Sequence, residues 1–219
     1  MSADSGQAFP VYIAVIAGLL FLAFVYFAVG QAALTRNGAQ TAADAAALAA
    51  AQDAREQLRA GWLEVATDPL QWKEFLEGKD YDVSPACEWA DVFAGKNDAD
   101  VPDGGCVGLS SGREGFSVTV RTRSGVGRSI VPGTESQHAT ASAKAVIEPK
   151  CTFNPPDGPG TGTPGTDPGP TDPGEGSDQE GEPIVGLICD GKPWTIDPDA
   201  PTLPSAVDLF TVQLAGDDE

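Results

Sequence analysis

The chain has 219 residues, with 13 Lys and Arg against 32 Asp and Glu, for a net charge of -19 at pH 7. That balance argues against nucleic-acid binding, because phosphate contacts need clustered bases. The lone histidine, His138, rules out multi-histidine metal sites and leaves histidine-based catalysis one candidate.

Residues 10–29 carry no charge. At 1.5 Å per residue they span about 30 Å, the thickness of a bilayer core. Tyr12 and Tyr26 lie near the two ends, where amphipathic aromatics prefer the interface. No basic residue precedes the block, and it exceeds the apolar core of a cleaved signal peptide, so a retained single-pass anchor is expected. Ala14 and Gly18 stand at the small-xxx-small spacing that lets membrane helices approach closely. The helix should continue beyond the block. Of residues 32–51, 11 are alanine, the best helix former, and no proline interrupts residues 31–59. One rod is expected from about residue 10 to about residue 60.

Residues 62–78 read as a second helical region broken at Pro69, with Thr67 or Asp68 as cap and Gly78 as stop. Leu70, Phe75 and Leu76 should face a core. Residues 81–115 read as an acidic loop. From Phe116 the period becomes two: Phe116, Val118 and Val120 alternate with Ser117, Thr119 and Arg121, a strand. A second strand is expected over residues 137–147, with Ala139, Ala141, Ala143, Ala145 and Ile147 on one face. Residues 154–183 contain 8 Pro, 8 Gly, 7 acids and no base. Such a tract buries too little apolar surface to offset its ordering entropy, so a disordered spacer is expected. Beyond it, Asp190-Gly191 between apolar runs predicts a hairpin, and residues 208–215 a further strand. These strands should dock on the earlier sheet, since 36 residues are too few for a core of their own.

The four cysteines, Cys87, Cys106, Cys151 and Cys189, all follow the apolar block, and none forms a C-x-x-C pair. Two disulfides in an oxidising compartment are expected, which places the C-terminal part outside the cytoplasm. Three pairings are open. The favoured one joins Cys87 to Cys106, closing an acidic loop, and Cys151 to Cys189, stapling the ends of the Pro/Gly tract.

The chemical motifs are weak. Residues 108–112 match G-x-S-x-G, but a nucleophile elbow needs a helix after Ser110, and here a strand follows. Asp98, Asp100 and Asp103 resemble the start of a calcium loop, yet its twelfth position is Leu109 and not Glu. Asp197 and Asp199 are weaker still. The chain is therefore read as a non-enzyme with no cofactor and no metal.

Gly6-Gln7-Ala8, then the apolar block, then the alanine-aspartate run at residues 37–51 together resemble the N-terminal segment of TadE/TadG-like Flp pilus-assembly proteins of the bacterial tight-adherence (Tad) systems. Residues 42–51 carry most of the likeness. The resemblance implies a membrane-anchored pilin-like or pilus-assembly protein whose partners are the lipid bilayer and other Tad or pilin-like subunits, met through the N-terminal helix. In processed members a prepilin-type peptidase cuts after a glycine ahead of the apolar block. Gly6 occupies that place, with Gln7 after it and Tyr12 six residues on. Val11 stands where the pilins carry glutamate.

The expected fold is α+β. A transmembrane and stalk helix occupies residues 1–60 and an extracytoplasmic head residues 61–153. The disordered linker follows over 154–183, and a C-terminal β segment docks on the head over 184–219. A membrane-tethered binding or wall-spanning module unrelated to a filament is the alternative.

Overall fold

The computed structural model describes residues 8–109, 112–125, 137–155, 183–197 and 202–216. The expected linker falls almost wholly outside them. Helix α1 runs unbroken over Ala8–Glu64, 57 residues. At 1.5 Å per residue it is about 85 Å long. Its two ends differ in what surrounds them. From residue 9 to residue 30 every position is exposed. From Ala39 onward, Ala42, Ala43, Ala46, Ala47, Ala50, Ala51, Ala54, Leu58 and Trp62 are buried. That spacing of three and four residues marks one face of a helix turned to a core.

A 3₁₀ turn over Pro69–Gln71 leads into α2, Trp72–Leu76. Asp68 caps the turn by accepting from the Leu70 amide at 3.2 Å. Pro69 at the first position turns Leu70 outward, where it is 93% exposed, so Leu70 is not the core residue the pattern suggested. Leu76 is buried and Phe75 partly so, against the side of α1. The tract expected to be a loop holds a helix, α3, over Val83–Lys96. Its buried face is Ala86, Ala90 and Ala94, and it packs on α1. Alanine at each fourth position brings the two backbones close. Nothing larger advertises that face in the sequence.

Strands β1 (Ala99–Asp100) and β2 (Cys106–Gly108) both pair with β3 (Glu114–Thr122), which pairs antiparallel with β4 (Thr140–Pro149). Across the β3–β4 ladder large residues oppose small ones: Phe116 faces Ala145, Val118 faces Ala143, and Val120 faces Ala141. The same sheet face meets the alanines of α1. The core is thus an alanine-lined helix held between α3 and a sheet. Gly115, with φ of +148°, lets β3 pass β4; a Cβ there would collide with the Ala145 carbonyl oxygen.

The chain leaves this sheet at Lys150. Strand β5 (Cys151–Phe153) pairs with β6 (Ile184–Cys189), and β6 with β7 (Lys192–Ile196), in a separate three-stranded sheet. Asp190 and Gly191 both take positive φ, 51° and 74°, which the tight turn of this hairpin requires. The short helix α4 (Ala206–Leu209) precedes β8 (Phe210–Leu214). β8 pairs with β4 and so joins the first sheet. The C-terminal strands therefore divide between two sheets: the hairpin follows β5, and only the last strand docks on the earlier pair.

Candidate functional site

The feature of this molecule with the plainest functional meaning is the free end of α1. Phe21 is 65% exposed, Tyr26 84% and Val29 65%, within a run of large apolar side chains that begins at Phe9. This end is long and apolar enough to cross a membrane. Contiguous apolar surface of that size needs a partner, lipid or protein. Ala14 and Gly18 lie within it, one helical turn apart and both exposed. A side chain built on Gly18 meets nothing within 4 Å. Gly6 and Gln7 lie outside the described residues.

At the other end of the rod the head is locked covalently. Cys87 in α3 bonds to Cys106 in β2, with Cα atoms 5.8 Å apart. Cys151 in β5 bonds to Cys189 in β6, 38 residues away in sequence and directly opposite in register. These are the two pairs favoured from sequence. Where α1 ends, Trp62 and Trp72 approach to 5.4 Å between ring centroids, and Phe153 of β5 meets Trp72 edge-on at 4.8 Å. This aromatic cluster ties the second sheet to the rod. It is built from the part of the chain that carried no motif.

Asp98, Asp100 and His138 have structural partners. Asp98 accepts a short hydrogen bond from the Ser124 hydroxyl, and Asp100 pairs with Arg123 at 2.6 Å. That pairing lowers the Asp100 carboxyl and raises the Arg123 guanidinium. No group of three metal-binding side chains occurs among the described residues. His138 hydrogen-bonds through Nδ1 with the Thr122 carbonyl at 2.7 Å. Ser110, Ser111 and Asp199 lie outside the described residues, and the element after Gly112 is β3, not a helix.

Tyr81 is the most strongly shifted group. Burial beside Phe116 comes first, and the Glu114 carboxylate, which accepts its hydroxyl at 3.2 Å, adds to it. Together they push the phenol up to about 12 from its ordinary 10.0. A raised folded-state value contributes stability that is fully present below pH 10 and is lost as pH rises through about 12. Chemical denaturation between pH 9.5 and about 12 should show the full chain weakening over that window. Tyr81→Phe should flatten the loss; an unchanged slope would place the cause elsewhere.

The chain thus pairs one exposed apolar helix, long enough to cross a membrane, with a small disulfide-linked α+β head. Residues 6–53 match the family model described as Tad, putative Flp pilus-assembly TadE/G-like. The match begins ahead of the apolar block and ends on the buried face of α1. The N-terminal segment is thus TadE/G-like and supports a pilus-assembly role for the chain. No curated protein and no solved structure matches the chain.

Proposed function

We propose that this protein is a membrane-anchored, pilin-like or pilus-assembly structural component of a Tad/Flp-type system, with its head outside the cytoplasm. One observation carries the reading: the TadE/G-like segment ends where the exposed half of α1 has already become the spine of a head closed by two disulfides. The apolar half crosses the bilayer; the disulfides need an oxidising compartment. The linear division between stalk and head follows the same reading, with residues 39–60 serving both. The helix meets neighbouring subunits through Ala14 and Gly18, whose flank is open in this chain. Gly18→Leu should leave the head folded and reduce crosslinking between subunits; unchanged crosslinking would remove this face from the interface.

The deciding experiment is the intact mass of the protein taken from membranes of its native host. Loss of residues 1–6, leaving Gln7 first, supports prepilin-type processing. An uncut chain in stable association with Tad subunits supports an assembly component. An uncut chain that stays monomeric and partnerless favours the tethered module and overturns the pilus reading. After thiol alkylation, a gain on reduction corresponding to four thiols is expected; no gain would overturn the extracytoplasmic placement.

A further inference from the structure

The end of the head nearest the apolar block can be located from its contacts. α3 and β3 both run antiparallel to α1. Gln57 of α1 bonds the backbone of Asp82 ahead of α3, whereas Leu34 and Gly38 line a cleft with Asn97, Asp98 and Ser124. β4 runs the opposite way, with Gln40 reaching the Ser142 carbonyl near its start. The C-terminal ends of α3 and β3 and the start of β4 thus form a rim around α1 at residues 34–40. At the helical rise from Val29, this rim stands roughly 8 to 17 Å beyond the end of the apolar block. The headgroup layer occupies about the first half of that distance.

Four basic side chains stand at the rim, Arg36, Lys96, Arg121 and Arg123, all exposed, with the Lys96 ammonium 4.3 Å from the centroid of the Phe93 ring. Among the described residues, the acids at this end are Asp98, Asp100 and, in the turn that follows, Asp103. Asp100 is paired with Arg123, and Asp98 is bonded to Ser124. Among the described residues, four bases thus stand against three acids at this end, in a chain with 32 acids and 13 bases overall. The four come from α1, α3, β3 and the bend just after β3, and only the fold gathers them. Leu34, 68% exposed, adds an apolar side chain on the same level.

We propose that this rim is a docking surface for the anionic headgroups of the bilayer that α1 crosses. The proposal rests on the membrane-anchoring reading above. Charge complementarity selects the occupant. Lys and Arg held within a Debye length of an anionic leaflet are attracted to it, while the acidic remainder of the head is repelled. A transmembrane helix tilts by about 20° on average, and a head attached along one flank would tip toward the bilayer on that flank. The rim fixes the direction of that tilt and so the angle at which the head is presented.

The test uses the full chain in nanodiscs of phosphatidylcholine alone and in nanodiscs containing about one third phosphatidylglycerol. Hydrogen exchange is read over residues 95–100 and 119–125. Exchange about fivefold slower in the anionic discs is expected, the difference vanishing in high salt. Lys96→Gln with Arg121→Gln should abolish the difference while sparing the Asp100–Arg123 pair. Rates that are equal in the two lipids would overturn the proposal. Alkaline flotation of the same chain with liposomes separates the two readings: a chain that fails to float overturns the anchoring itself, whereas one that floats but shows no lipid dependence overturns only the rim.

Discussion

Replacing Cys151 and Cys189 together by alanine should lower folding stability by about 4 kcal/mol, the chain-entropy value for a closed loop of this size. The bond links residues 38 apart in sequence. The intervening chain is dominated by the Pro/Gly tract, which offers little apolar surface to hold its ends together in the unfolded state. The cross-link therefore removes conformational freedom mainly from the unfolded ensemble. Both cysteines are nearly fully buried, so alanine, rather than serine, avoids stranding a polar group. The Cys87–Cys106 bond spans 19 residues, and its removal should cost less, about 3 kcal/mol. A domain of ordinary stability has about 5–15 kcal/mol in total, so either loss is large. Urea denaturation of each oxidised double variant against the oxidised parent measures both. A loss under about 1 kcal/mol at Cys151 and Cys189 would mean that the Pro/Gly tract is already restrained when the chain is unfolded.

The reach of the sequence is clear from particular elements. The rod was legible because an uncharged block and an alanine run are both signals carried by consecutive residues. β3 was legible because Phe116, Val118 and Val120 alternate cleanly. α3 was not, because its buried face consists of Ala86, Ala90 and Ala94. Alanine reads as neutral in a hydrophobic pattern, and the surrounding acids read as a loop. Yet alanine is what this site needs, since α1 presents alanines of its own and only small pairs allow two helices so close. The hairpin was legible from Asp190-Gly191, but its sheet was not. Which strand it joins is set by the Cys151–Cys189 bond and by the departure of the chain from β4 at Lys150. Leu70 misled because its exposure depends on the 3₁₀ turn at Pro69, a local geometry that a helical period does not encode. The TadE/G-like segment was legible as a linear motif. The basic rim was not, since its members are scattered from Arg36 to Arg123.

Trp72→Ala should lower stability by about 3–5 kcal/mol, the range for removing a large buried aromatic. Trp72 is fully buried between Trp62, at the end of α1, and Phe153, in β5. Its Nε1 donates to the Val65 carbonyl at 2.9 Å, fixing the turn by which the chain leaves the rod. Alanine would remove both ring contacts and the indole hydrogen bond, leaving the Val65 carbonyl to the Asp68 amide at 2.8 Å, and open a cavity between the rod and β5. Trp72→Phe should keep much of the packing and lose the hydrogen bond, at a cost of about 1 kcal/mol for the bond. The Trp72 and Cys151–Cys189 changes should couple, because Phe153 lies two residues from Cys151 on the same strand. Once β5 is released from β6, less of the ring contact remains to be lost, so the combined variant should lose less than the sum of the separate losses. Denaturation of the three variants against the parent measures the coupling. Strict additivity, or a loss under about 1.5 kcal/mol for Trp72→Ala alone, would show that the second sheet is held to the rod by something other than this cluster.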